Sequence, residues 1–293
     1  MKYKIHENAK YGYKEIFPKP TTEEIDRFYR EDFYAQDYKY FNDSSIEVQL
    51  QDLWYLKKWW SLELEILRKQ LNDRGKPLSL LDIGCGWCQF LKHAQDANWK
   101  VKGLDPSPEA AVYGKAQGLD VHVGGFEDFS KISEPFSCVV LKNVLEHIVD
   151  PVDFLQNISN SFLQKNSLIH IEVPNEFSLL QEVAVDNGVK EKWWIAPPAH
   201  LNYFNLSSLK ALLRDLGFEV VDAHSSFPME LFILLGRDYV SKPELGGQAH
   251  ADRIAFENCF FETDRADDLL NMYRSFASLG IGRQISILGR KLK

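Results

Sequence analysis

The stretch Leu80-Leu81-Asp82-Ile83-Gly84-Cys85-Gly86-Trp87-Cys88-Gln89-Phe90-Leu91 constrains the fold more than any other part of the chain. An apolar run of strand character meets two glycines one residue apart, and a helical pattern follows at once. Glycine has no Cβ, so such a turn tightens and lets the backbone approach a ligand closely. In open α/β sheets ligands bind at the carboxyl ends of the strands, where this turn would lie. From Leu78 onward, short apolar runs alternate with amphipathic segments, the pattern of βαβ units around a parallel sheet. Strands are expected near 78–83, 100–104, 119–123, 136–141, 167–173 and 218–223, and helices near 87–97, 107–117, 151–163 and 206–216. Phe136 to Leu141 is nearly all apolar, as a central strand buried on both faces requires. The fold class predicted is α/β, doubly wound and Rossmann-like.

The flanks differ in character. Pro20-Thr21-Thr22-Glu23-Glu24 opens an expected helix carrying Phe28, Tyr29, Phe33, Tyr34, Tyr38, Tyr40 and Phe41. A second helix is expected from about Ser45 to Asn72, with Leu53, Leu56, Trp60, Leu64 and Leu67 recurring at intervals of three and four. Beyond the sixth strand the chain is mostly helical until Gly280-Ile281-Gly282, after which Gln284 to Gly289 has strand character. The expected organisation is a helical N-terminal cap over 1–76, a core over 77–226, a helical insertion over 227–279 and a return to the core over 280–293.

Composition narrows the partners. Hydrophobic residues make up 45% and charged residues 26%, enough to bury a core. A formal net charge of −8 argues against nucleic acid as a partner, because phosphate binding draws on clustered Lys and Arg. The first ten residues are polar, unlike a signal peptide, and no apolar run approaches the roughly 18–20 residues that span a bilayer. Cys85, Cys88, Cys138 and Cys259 are too sparse for a disulfide scaffold and read as reduced thiols. A cytoplasmic chain with no membrane span is expected.

Which ligand the turn holds follows from its neighbours. A dinucleotide loop places a third glycine where this chain has Gln89, and a Walker loop needs Gly-Lys-Ser/Thr, which is absent. Asp82 stands just before the first glycine, where its charge opposes a pyrophosphate and favours the ammonium and sulfonium of S-adenosylmethionine. Asp105, at the end of the second strand, lies about 20 residues beyond the turn, where a carboxylate can bond ribose hydroxyls. Capping of the next helix is its plainer role, and Ser107 serves that as well. A zinc site built on Cys85 and Cys88 lacks a second ligand pair, so no metal is expected. A short-chain reductase would want Tyr-x-x-x-Lys, and no tyrosine has lysine four residues on.

Several ordered motifs carry a resemblance. They are Asp82-Ile83-Gly84-Cys85-Gly86, Gly103-Leu104-Asp105, Gly125-Phe126-Glu127-Asp128, Leu141-Lys142-Asn143-Val144-Leu145-Glu146-His147-Ile148, Ile171-Glu172-Val173-Pro174-Asn175 and His200-Leu201-Asn202-Tyr203-Phe204. Together they resemble the class I S-adenosylmethionine-dependent methyltransferases, most fully over about 78–224. The resemblance implies a seven-stranded sheet with an antiparallel last strand and S-adenosylmethionine as cofactor. It implies that Asp82, Gly84, Cys85 and Gly86 line the methionine part, that Asp105 and Pro106 lie at the ribose, and that Phe126 and Glu127 flank the adenine. Lys142 and Asn143 would lie beside the methionine end. Cys88 departs from the small residue, often glycine, that the family usually has there.

Methyl transfer to oxygen needs alignment and usually a base for the acceptor proton. His147 follows strand four, and His200 lies in the aromatic, proline-fixed segment Trp193 to Phe204 after strand five. Both loops face the site, and His200 is the first candidate for the base; Tyr203 is placed to orient an acceptor. Each histidine has a plainer role, in which it only braces its loop. In the insertion Glu230, Arg237, Tyr239, His250, Arg253 and Glu257 are candidate acceptor contacts, with an exposed charged face as the plainer alternative. A small-molecule acceptor is expected. By analogy with methyltransferases of surface-glycan pathways it is first a sugar or glycan hydroxyl, nucleotide-linked, with a quinone precursor or other phenol as the alternative. A non-catalytic binding module is the remaining alternative.

Overall fold

The computed structural model describes residues 3–21, 23–25, 46–72, 77–125, 128–129, 132 and 134–293. Its main sheet has seven strands in the order β5-β4-β3-β6-β7-β10-β9. These are β3 (Ser79–Ile83), β4 (Lys100–Asp105), β5 (Val121–Val123), β6 (Phe136–Lys142), β7 (Leu163–Pro174), β9 (Phe218–Ser225) and β10 (Gln284–Lys291). β3 to β7 pair in parallel, and β10 runs antiparallel between β7 and β9. This is the doubly wound sheet expected, with the last strand slotted in reverse beside the sixth of the core.

Helices between the strands pack back on the sheet, on both of its faces. These are α3 (Gln89–Asp96), α4 (Pro108–Ala116), α5 (Pro151–Phe162) and α7 (Leu206–Asp215). Ser107 and Asp150 cap two of them, each with proline in the first turn, where the missing N–H is no loss. One face of the sheet is apolar throughout. Leu81, Ile83, Val139, Leu141, Ile169, Ile171, Ile285 and Ile287 pack with Phe154, Ile158, Phe162, Leu209 and Leu212. The opposite face begins apolar, with Leu80, Cys138, Val140, Leu168 and Leu288 under α2 (Leu53–Leu71) and α3. Towards the carboxyl ends of the strands, the register turns that face polar through Asp82, Lys142, His170, Glu172, Ser286 and His224.

The flanks depart from expectation in two ways. The chain opens on a hairpin of β1 (Lys4–Glu7) and β2 (Lys14–Phe17), where the sequence predicts only helices. β2 then pairs antiparallel with β8 (Asn202–Tyr203), far along the chain, to make a second, three-stranded sheet. The predicted second helix is divided into α1 (Ile46–Gln51) and α2, parted at Asp52. Glu23 to Ile25 are helical; most of the predicted aromatic helix, including Tyr29, Phe33, Tyr34 and Tyr38, lies outside the described residues. The later helical stretch contains α8 (Glu230–Leu234), α9 (Gly246–Phe261) and α10 (Ala266–Ser278), and a short α6 (Leu179–Asp186) follows β7. Among the described residues no helix is long and apolar enough to cross a membrane.

Candidate active site

The glycine turn at the end of β3 is built on two left-handed residues. Gly84 has φ +75° and Gly86 φ +47°, and a Cβ on Gly84 would lie 2.4 Å from Val144 Cγ2. Glycine at 84 is therefore required by both conformation and space. The Gly84 N–H donates to Leu104 O at 2.7 Å, which ties the turn to β4. Asp105, buried beside it, accepts from the Gly86 N–H at 2.7 Å and from the Ser107 N–H at 2.9 Å. The structure thus brings Asp82, Gly84, Cys85, Gly86, Asp105 and Pro106 together at the carboxyl ends of β3 and β4.

Asp82 carries the strongest electrostatic signal there. It is buried, and its Oδ1 has no hydrogen-bond partner. Burial pushes its pKa up to about 8 against the pull of Lys142. A desolvated carboxyl with an unmet acceptor is suited to a cation brought by a ligand. Asn143, with φ +53°, holds its N–H on Glu172 O at 2.8 Å and its Oδ1 on Gln284 Nε2 at 3.0 Å. Lys142 does not reach towards the turn: its ammonium lies 2.6 Å from Glu63 and 3.7 Å from Glu172. Phe126 and Glu127 lie outside the described residues. Cys88 is buried with Sγ 3.6 Å from Cys85 Sγ, and it fits because Gly114 faces it, where a Cβ would come within 2.8 Å.

The two histidines meet above β6 and β7. Their ring centroids are 5.2 Å apart and their planes cross at 71°. His147 Nδ1 donates to Ala199 O at 2.7 Å. Burial, with the charge of His200 adding to it, pushes the His147 pKa down to about 3, so this imidazole is neutral. His200 Nδ1 donates to Glu176 Oε1 at 2.9 Å. Burial opposes its charge, but the Glu176 carboxylate prevails and raises its pKa above the usual histidine value. Glu146, also buried, has neither oxygen hydrogen-bonded, and burial pushes it up to about 8. Glu146, His147 and His200 place ligand atoms within 4.8 Å of one another, a set able to hold a metal ion, although the sequence predicts none. The imidazolium that Glu176 favours at His200 competes with such an ion.

Tyr203 stands differently from a residue that orients an acceptor. It is buried among Ile16, Trp194 and Leu201, and its hydroxyl donates to His200 O at 3.3 Å. Its bonding capacity goes to bracing the loop. Of the six insertion residues, two gather at Arg283, whose charge His200 also feels. Glu230 is fully buried, lies 3.5 Å from Arg283 and accepts from Gln181 Nε2 at 3.3 Å. Tyr239 feels both Glu230 and Arg283, and burial pushes its pKa up to about 12. The other four serve contacts within or beneath the insertion. Arg237 pairs with Asp252, His250 with Asp52, Arg253 with His250, and Glu257 accepts from Tyr55 and Tyr273.

Glu176, Glu146 and Arg283 were not singled out by sequence. Their positions hold a usable signal: Glu146 and Glu176 closely follow the carboxyl ends of β6 and β7, and Arg283 immediately precedes β10. Arg283 lies within the charge field of Glu176 and Glu230, yet 37% of its side chain is exposed, so it borders an open space.

Residues 57–223 match the methyltransferase-domain family. Among curated proteins, the ubiquinone biosynthesis O-methyltransferase of Caulobacter sp. (strain K31) is 27% identical over 169 residues, 55% of this chain and 66% of that protein. The protein of the same name from Ruegeria pomeroyi is 26% identical over 154 residues, 50% of this chain and 61% of that protein. The chain therefore spans less than two thirds of the length of these relatives. Two solved structures share the fold over 92% of this chain. The plantazolicin methyltransferase BpumL, solved with a monoazolic desmethylPZN analog and SAH, has a TM-score of 0.53, 17% identity and 94% of its own chain covered. The plantazolicin methyltransferase BamL, solved with a triazolic analog and SAH, has a TM-score of 0.53, 13% identity and 95% covered. With more than half of its length matched, the chain belongs to the methyltransferase-domain family.

Proposed function

We propose that this methyltransferase uses S-adenosylmethionine to methylate a hydroxyl of a small molecule, with His200 as general base and Glu176 as the group that orients it. S-adenosylmethionine supplies an electrophilic methyl on a sulfonium. The residues present fit it: Asp82 offers a buried, unpartnered carboxyl oxygen to its ammonium, and Asp105 sits one strand over on the ribose side. Asn143 and the Gly84–Gly86 turn would complete the cradle. The proposal is carried by the His200–Glu176 contact of 2.9 Å, because a proton donated from Nδ1 to a carboxylate leaves Nε2 to accept one. His147 is the less suitable base, since burial depresses its pKa to about 3.

Two acceptors fit a hydroxyl chemistry. A sugar or glycan precursor is favoured by the polar surroundings: Glu146, Glu176 and Glu230 all hold buried carboxyl oxygens without a hydrogen-bond partner, which a ligand rich in hydroxyl groups would satisfy. A quinone precursor is favoured by the names of the curated relatives. The test is formation of adenosylhomocysteine with nucleotide-linked hexoses and with 3,4-dihydroxybenzoate. On the active acceptor, His200→Gln should lower kcat by about 100-fold or more, with adenosylhomocysteine affinity within about threefold. Unchanged turnover in His200→Gln would remove the base assignment, and cofactor binding with no turnover on any acceptor would point to a binding module.

A further inference from the structure

The Lys142 ammonium belongs to the same sheet face as Asp82. Asp82 pairs in register with Val140 on β6, and Lys142 lies two residues further along that strand, so both side chains project to one side. Each feels the other's charge, and no ion pair joins them. What holds Lys142 away is Glu63, on α2. Glu63 Oε2 lies 2.6 Å from Nζ, and Lys142 also sits 4.9 Å from the Phe90 ring centroid. Glu63 also meets His170 from a second side: His170 Nδ1 lies 2.8 Å from its Oε1, and His170 Nε2 lies 2.5 Å from Ser286 Oγ. Burial opposes the Glu63 charge, but Lys142 and His170 overcome it and hold the carboxyl at about 2, a committed anion.

We infer that Glu63 is a positioning residue for cofactor binding: by pairing with Lys142 it keeps that ammonium away from the Asp82 carboxyl group, which stays free for the cofactor's own ammonium. Without Glu63, the nearest remaining anions are Glu172, 3.7 Å away, and Asp82. Glu172 is partly solvated, whereas Asp82 is buried with an unmet oxygen, so Asp82 gains more from the cation. An intramolecular lysine on Asp82 then competes with every incoming ligand. The charged and titratable groups around Asp82 are Lys142 on β6, Glu63 on α2 and Asp105 on β4, with the thiols of Cys85 and Cys138 close by. The helix that covers the sheet thereby takes part in preparing the cofactor site.

The inference rests on Asp82 receiving the cofactor, and Asp82→Asn tests that separately by its loss of adenosylhomocysteine binding. Calorimetry with adenosylhomocysteine on the full chain tests Glu63. Glu63→Gln should weaken binding about tenfold, and Glu63→Gln with Lys142→Met should recover to within about threefold of the unmutated protein, since no competing cation remains. A double variant no better than Glu63→Gln, or a Glu63→Gln protein that binds normally, overturns the inference. A second measurement needs no variant. With Lys142 held away, Asp82 is mostly protonated at pH 7, so binding should release close to one proton, read from calorimetry in buffers of different ionisation enthalpy. In a protein whose Asp82→Asn variant loses adenosylhomocysteine binding, no proton release would mean that Asp82 is already ionised by Lys142, and the inference fails.

Discussion

His147 and His200, with ring centroids 5.2 Å apart, are driven in opposite directions: burial and the charge of His200 lower the His147 pKa, and, against burial, the Glu176 carboxylate raises that of His200. A neutral carbonyl leaves His147 uncharged in its buried setting, and a carboxylate favours charge on His200. The sequence placed both histidines after strand ends and could rank them only by loop position, because Glu176 reaches His200 through the fold. The gathering of Asp82, Gly84, Gly86 and Asp105 around one turn was legible, since it follows from local strand–turn–helix geometry. The Glu176 contact makes a pH prediction. An imidazolium cannot accept a proton, so kcat/KM should fall as pH drops through the His200 pKa, with the midpoint above 6.5. Glu176→Gln removes the anion that raises that pKa. The acid limb should move to lower pH, while kcat falls at least about tenfold from lost orientation of the ring. A pH–rate profile of both proteins decides it; an unmoved limb would assign the titration to another group.

At the scale of elements, the βα alternation was readable because each strand is a short apolar run bounded by turns and each helix carries one apolar stripe. The hairpin was not. β1 and β2 contribute only Ile5 and Ile16 as aliphatic residues, and β2 gains its second partner from two residues at 202–203. The insertion helices were legible as helices but not in their contacts, which depend on α2. Glu257 on α9 accepts from Tyr273 on α10 at 2.5 Å and from Tyr55 on α2, so one buried carboxylate joins three helices. Tyr273→Phe keeps the ring and removes one donor from that carboxylate. Stability should drop by about 1–3 kcal/mol, seen as a lower urea midpoint at unchanged m, with adenosylhomocysteine affinity within about twofold. A larger loss of cofactor binding than of stability would mean that the three-helix joint reaches the glycine turn.

Across the whole molecule, the two halves of the proposed reaction rest on different supports. The glycine turn is held by β3, β4 and β6, with Lys142 and Glu63 on the same face of the sheet as Asp82. The His200 loop is held by the small sheet. The Ile16 N–H donates to Leu201 O at 3.0 Å, Lys14 and Glu15 pair with Tyr203 and Asn202, and Ile16 is fully buried against Trp194, Leu201 and Tyr203. The loop is stitched on its other side by the Leu201 N–H on Glu146 O at 2.8 Å and by Asn202 Nδ2 on Ile148 O at 2.6 Å. The hairpin therefore fixes the His200 loop, while the main sheet fixes the glycine turn. Ile16→Asp puts an unpaired charge into the small apolar cluster and should detach the hairpin. Catalysis depends on ring placement to well under an ångström, so kcat should fall about tenfold or more. The glycine turn shares no strand with the hairpin, so adenosylhomocysteine affinity should stay within about threefold. Calorimetry and turnover on one preparation separate the outcomes: parallel loss of both would show that the small sheet supports the cofactor half too, and loss of turnover alone places it with the acceptor half.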